Sequence, residues 1–239
     1  MNRSRFIASL AVTTAVTLAL GACTAPGEAP ASPTASAQEQ AAAPATILEA
    51  IRADDAAQVA AFLAAGEDPD ARESGIPLLH VAAAGGYANA AQALIDGGAD
   101  LNIRAGTVGA TPLIVAAEGP GTAVLEVLLA AGADVSLGEE TGPAAGPMQA
   151  AARAGNVEAL MLLHEHGIGV DDKGPAKSTA LIWAAYYGQL EAVEYLIAQG
   201  ASLTEVDVVG QDALRNAEIG GFPEVADVIR AHMAEQGLA

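Results

Sequence analysis

Four histidines, one cysteine and several adjacent carboxylate pairs are the residues of this chain with the means to do chemistry. His164 and His166, in LHEHG, stand two apart near the end of an expected helix. Two ligands share a helical face only at i, i+3 or i, i+4 spacing, so a zinc site here is a poor fit. Pairing of their charge with the helix C-terminus is the ordinary reading. His232 lies in the terminal helix beside Met233. The pairs Asp54-Asp55, Glu139-Glu140 and Asp171-Asp172 are sequence neighbours, which point apart in a helix and are usually solvated in a loop. A cation site at the loop pairs stays open, although nothing resembles the Asp-x-Asp-x-Asp-Gly calcium loop. GEETGPAAGP (138–147) has three glycines but no Lys-Ser/Thr ending, so it reads as a long loop and not a phosphate cradle. G-x-S-x-G does not occur. No nucleophile, base and metal positions converge, so neither catalysis, a cofactor nor a small-molecule substrate is expected.

The elements that must position these residues are short. In TALIWAAYYGQLEAVEYLIAQGAS (179–202), Leu181, Ala184 and Ala185 mark one buried helical face, and Gly188 ends that helix. Leu190, Val193, Leu196 and Ile197 form the apolar stripe of a second helix that stops at Gly200. Helices of about ten residues are marginal alone in water, so the hairpin must lean on further copies of itself. Those copies exist. The anchor and closing residues Ile47/Gly66, Leu79/Gly98, Leu113/Gly132, Met148/Gly167 and Leu181/Gly200 are each 19 apart. A sixth unit opens at Leu214, with Met233 where the closing glycine would stand. Successive anchors are 32, 34, 35, 33 and 33 residues apart, so the length variation falls outside the helix pair, where surface loops tolerate it.

PLLHVAA (77–83), TPLIVAA (111–117) and TALIWAA (179–185), with ALIDGGADLN, VLLAAGADVS and YLIAQGASLT closing their units, resemble the ankyrin repeat. The resemblance covers roughly residues 46–237. It implies an all-α ankyrin-repeat solenoid of about six helix–turn–helix units, with short β-hairpin-like loops projecting as fingers. The outermost units act as caps, and stability sums over units and their interfaces. His80, in the T-P-L-H slot, is implied to bond backbone in the turn. Asp54 and Pro120 stand where an inter-helix glycine is expected in the first and third units.

The N-terminus is organised differently. Arg3 and Arg5 precede an apolar run over residues 6–20, with signal-peptide proportions and too short for an ordinary spanning helix. The following LGAC looks like the lipobox of bacterial lipoproteins. That resemblance implies a signal peptide over residues 1–22 and lipidation of Cys23, whose acyl chains would anchor the protein stably. The alternative is a transient signal peptide with an idle cysteine. Either way the protein is exported, and the resemblance implies anchoring to the cell-envelope membrane. Residues 23–45, rich in Ala, Pro and Ser, read as a flexible linker with a reach of roughly 25 Å, ahead of the repeat domain at 46–239.

The chain holds 10 Lys+Arg against 29 Asp+Glu; without Arg3 and Arg5 the balance is 8 against 29, a net charge near −21. That excludes ordinary nucleic-acid and anionic-lipid binding, and it favours a protein partner with a basic patch. Solubility alone is the blander account of the same charge.

Trp183, Tyr186 and Tyr187 share a helical stripe, and the family places the two residues after the Ala-Ala pair on its concave, partner-facing side. Tyr186 and Tyr187 are therefore candidate contacts, with Trp183 assigned to the core; filling space in an alanine-rich interior is the other reading for the tyrosines. Val206, Val208 and Val209 occupy variable finger places in TEVDVVGQD (204–212), where an apolar contact or strand pairing with the adjacent finger would account for them. Arg153, Lys173 and Lys177 are scarce cations on the neighbouring concave or finger positions. These residues predict a membrane-anchored, non-catalytic protein-binding module with contact centred on units four to six. Its concrete versions are a scaffold in the envelope or an inhibitor or immunity-type binder of a toxic enzyme; a hidden metal-dependent hydrolase is the rival class.

Overall fold

The structure, a computed structural model, describes residues 46–141 and 145–238. The expected leader, linker and Cys23 lie outside those residues. Six helix pairs follow one another: α1 (Ile47–Arg52) with α2 (Ala56–Ala64), α3 (Leu78–Gly85) with α4 (Ala88–Asp96), and α5 (Pro112–Glu118) with α6 (Ala123–Ala130). Then come α7 (Pro147–Ala154) with α8 (Val157–Glu165), α9 (Ala180–Tyr187) with α10 (Leu190–Ala198), and α11 (Ala213–Gly220) with α12 (Pro223–Glu235). The odd-numbered helices pack in sequence as an inner row. The outer row is close from α2 through α4 to α6 and from α8 through α10 to α12, and loosest between α6 and α8.

Side-chain chemistry sets the helix starts. Thr111 Oγ1 accepts from Ile114 N–H and Thr179 Oγ1 from Ile182 N–H, so each satisfies a donor that the first turn leaves open. Alanine sets the spacing. Ala82, Ala83, Ala116, Ala117, Ala151, Ala152, Ala184 and Ala185 are all buried, and methyl-sized faces bring consecutive inner helices into close contact. Large apolar side chains, among them Leu79, Leu113, Met148 and Leu181, fill the spaces between the rows. Burying each such side chain contributes about 1.5–3 kcal/mol.

The turns explain the repeat's irregularities. Gly188 caps α9 in the left-handed conformation at φ +73°, and a Cβ there would meet the Phe222 ring at 2.3 Å. In the first unit Asp54 takes the left-handed place instead, at φ +52°. Its carboxylate accepts from Ala90 N–H at 2.9 Å and Asn89 Nδ2 at 2.7 Å, bonds to the next unit that offset the strain. In the third unit α5 ends in extended backbone at Gly119, and the left-handed step moves past Pro120 to Gly121 at φ +71°. Without a glycine at Met233, α12 continues for 13 residues.

The fingers carry little strand among the described residues: one two-residue hairpin, β1 (Arg72–Glu73) against β2 (Ile76–Pro77), and one bridge, Ala105 to Ala110. Successive fingers are joined by side chains. Asp70 Oδ1 accepts from Asp100 N–H at 2.8 Å, Asn102 Oδ1 from Asp134 N–H at 3.0 Å, and Asp171 Oδ1 from Ser202 N–H at 2.9 Å.

Candidate protein-binding site

α9 carries the site because its sequence interrupts the alanine pattern with rings. Leu181, Ala184 and Ala185 are fully buried, which turns Tyr186 and Tyr187 outward at the last turn. They are 44 % and 39 % exposed, whereas Trp183, one turn earlier, is 7 % exposed. The Trp183 and Tyr187 rings stack at 5.9 Å with 6° between planes, and Tyr186 meets Tyr187 edge-on at 5.1 Å. The buried indole thus supports the two exposed phenols.

Opposite this stripe stand two fingers. The first contributes Pro175, Ala176, Lys177 and Ser178; the second contributes Asp207 and Val208. Asn216 of α11 and Ile182 of α9 complete a groove of about 590 Å³. The second finger is shaped by Asp207. Its Oδ1 accepts from Val209 N–H at 2.9 Å and Gln211 N–H at 3.0 Å, and its Oδ2 from Asn216 Nδ2 at 3.2 Å. Partial burial pushes the Asp207 carboxyl up, but these bonds outweigh it and hold it below the usual range. The turn raises Val208 and Val209 to its tip, Val208 being 71 % exposed. Neither valine pairs as strand; Val208 lines the groove, while Val206 and Val209 are exposed on the same finger.

Of the three cations named from sequence, Lys177 lines the groove, whereas Arg153 and Lys173 lie elsewhere. Arg153 sits behind the groove with its guanidinium carbon 5.4 Å from the Trp183 centroid. It donates to Glu118 and, at 2.9 Å, to Glu139. Its role there is to support Trp183. Burial works against the Arg153 charge, yet bonding to the two carboxylates raises its affinity for the proton. Glu118 goes up because burial disfavours its charge, and Arg153 only partly offsets that. Glu139, expected to be solvated, is 6 % exposed, and its Oε2 also accepts from Ala145 N–H at 3.0 Å. Lys173 bonds Glu205 at 2.7 Å and the Val206 carbonyl at 3.4 Å, tying two fingers together.

The remaining chemical residues have structural partners. His80 Nε2 donates to the Ala110 carbonyl at 2.9 Å, the backbone bond that the repeat resemblance implies. Burial holds its pKa below the ordinary histidine value. Gln149, in the equivalent register of unit four, donates to the Ser178 carbonyl at 3.3 Å and to Asp172 at 2.8 Å. An amide N–H can replace the imidazole N–H, so the histidine need not recur. His164 and His166 bond the Ile168 and Leu162 carbonyls, which draws their rings apart. Among the described residues no group of three or more His, Cys, Asp or Glu is placed to hold a metal ion. Nor, among them, is any helix long and apolar enough to cross a membrane.

A wider groove, of about 640 Å³, runs between α2 and α4. Half of its lining is alanine, with Leu63 and the polar Asn89, Gln92 and Asp96, and it holds no aromatic ring. The tyrosines, Val208 and Lys177 were legible in the sequence, whereas Ile182 and Asn216 were not. Asn216 was visible only as the residue aligned with Trp183 one unit on.

Comparison with known proteins agrees with this architecture. The family described as ankyrin repeats (3 copies) matches residues 47–139 and 138–207. The chain therefore belongs to the ankyrin-repeat family, whose members are typically non-catalytic modules that bind proteins. It is 30 % identical over 159 residues to the ankyrin repeat and KH domain-containing protein mask-1 of Caenorhabditis elegans, covering 65 % of this chain and 6 % of that protein. It is also 30 % identical over 155 residues to a transient receptor potential cation channel subfamily A member 1 homolog of the same organism, covering 65 % of this chain and 12 % of that one. Alpha-latroinsectotoxin-Lt1a of Latrodectus tredecimguttatus is 32 % identical over 123 residues, 51 % of this chain and 8 % of the toxin. The chain thus spans only a small part of the length of these relatives.

Proposed function

We propose that the protein is a non-catalytic docking module of the cell envelope, tethered by lipid on Cys23 and binding a partner protein in the groove of units five and six. The meeting of exposed Tyr186 and Tyr187 with Val208 across one groove carries this reading. Aromatic side chains bury large area at low entropic cost, which makes such a place the energetic centre of an interface. Support for the tether comes from the LGAC motif and the linker composition.

Two measurements test it. Replacing Tyr186 and Tyr187 together by Ala should weaken capture of the native partner from a host envelope extract by at least about thirtyfold. Thermal unfolding should hardly move, because both rings are half exposed; retained capture with a large loss of stability would assign the tyrosines to the core. Cys23→Ser should abolish fatty-acid labelling and release the protein from the membrane fraction. A labelled or still membrane-bound Ser variant would remove the tether from the reading.

A further inference from the structure

The chemistry of the groove specifies what its partner must present. Of the eight Lys and Arg among the described residues, five are ion-paired: Arg104 with Glu140, Arg153 with Glu118 and Glu139, Lys173 with Glu205, and Arg215 and Arg230 with Glu218. Arg72 bonds two carbonyls, and Arg52 belongs to α1, away from the groove. Lys177 is different. It is exposed on the groove wall, and none of the described residues gives its ammonium an ion pair or a hydrogen bond. Its backbone is held left-handed at φ +54°, with its N–H donating to the Gly174 carbonyl at 2.7 Å. The finger turn imposes this conformation: Gly75, Gly109 and Gly210 take the same left-handed place four residues before Leu79, Leu113 and Leu214, and Lys177 stands four before Leu181. The groove's one carboxylate, Asp207, accepts from two backbone amides and Asn216 and makes no ion pair with the lysine. What remains unmatched is one ammonium beside an aromatic and aliphatic wall.

We infer that the groove takes an extended protein segment that lays an apolar side chain against Tyr186, Tyr187 and Val208 and sets a carboxylate on Lys177. The inference rests on the docking reading above and narrows it to one partner chemistry. The size fits: about 590 Å³ lies within the roughly 300–1,000 Å³ of sites that enclose compact groups, enough for a few side chains. The charge pattern adds selectivity. A molecule this acidic repels most anionic surfaces, so a carboxylate is accepted only where an apolar anchor brings it to Lys177. A basic patch elsewhere on the same partner agrees with the overall field.

Trp183 is the only tryptophan of the chain and lies in the groove wall, so its fluorescence reports occupancy. The full chain in detergent is titrated with three eight-residue peptides that share a Leu-Phe anchor and differ at the next position, Glu, Gln or Lys. The Glu peptide should perturb Trp183 and bind about fivefold tighter than the Gln peptide, the ratio expected of a partly exposed ion pair, with the Lys peptide weakest. The Glu preference should shrink as salt rises. Lys177→Asn removes the charge and suits left-handed backbone, so it should leave unfolding unimpaired and erase the preference. Equal binding of all three peptides, or a Glu preference that survives Lys177→Asn, overturns the carboxylate inference and leaves the docking groove standing. If no peptide binds, the inference falls; if the tyrosine replacements also leave partner capture intact, the groove falls with it.

Discussion

His80 shows how a single side chain couples the repeat to pH. The Ala110 carbonyl can only accept, so the ring proton lies on Nε2, and Nδ1 is left buried with no hydrogen-bond partner among the described residues. Protonating Nδ1 would place an unpaired charge in the interior. The folded pKa is depressed below 6.5, so His80 contributes stability that is present above that value and lost as pH falls below it. Glu118 acts oppositely: its carboxyl is raised above 4.5, so the stability tied to its protonation is present below that value and lost as pH climbs. Urea denaturation at about pH 7.5 and 5.5 should show lower stability at the acidic point, and His80→Gln should flatten that slope. An unchanged slope would place the pH response elsewhere. The histidine's slot was legible from PLLH; Gln149's equivalent role was not, because a sequence signature records residue type while the bond needs only an N–H in the same register.

At the level of the element, the helix pairs were legible because their anchors recur at a fixed distance from the closing glycines. The fingers were less so. Their left-handed place recurs at Gly75, Gly109 and Gly210, and Asp207 with Gly210 was legible as a turn; what the sequence does not record is which groups the finger side chains bond. The carboxylate pairs mislead for the same reason: Glu139 turns inward to Arg153 while Glu140 turns outward to Arg104. The turn after α9 offers a sharp check. Gly188→Ala would force a Cβ both into left-handed backbone and against the Phe222 ring, so it should cost at least about 1 kcal/mol in chemical denaturation and shift α11 with its groove wall. A neutral substitution would mean that unit six docks more loosely than described.

Across the whole molecule, the outer row is loosest where α6 meets α8, and the inner row there is bridged by Arg153, reaching from α7 to Glu118 of α5 and to Glu139. In a linear array, stability is a sum over neighbours, so a weak interface sets where cooperativity first fails. Arg153→Met would leave Glu139 buried and unpaired; we expect a loss of about 2–3 kcal/mol in urea denaturation, and a broadened or split transition as the halves uncouple. Adding Glu139→Gln should recover part of it. A full-sized single transition in Arg153→Met would show that the alanine faces alone join the halves.

Those alanine faces also decide how such a chain can change. Where helices touch through methyl groups, the smallest enlargement, such as Ala184→Val, pries two neighbours apart and is felt on both sides. Novelty by single substitution is therefore confined to the loops and the last helical turn, while the interior changes only by duplication or exchange of entire hairpins. A library that shuffles intact units should yield many folded members, and one that randomises the interior point by point almost none.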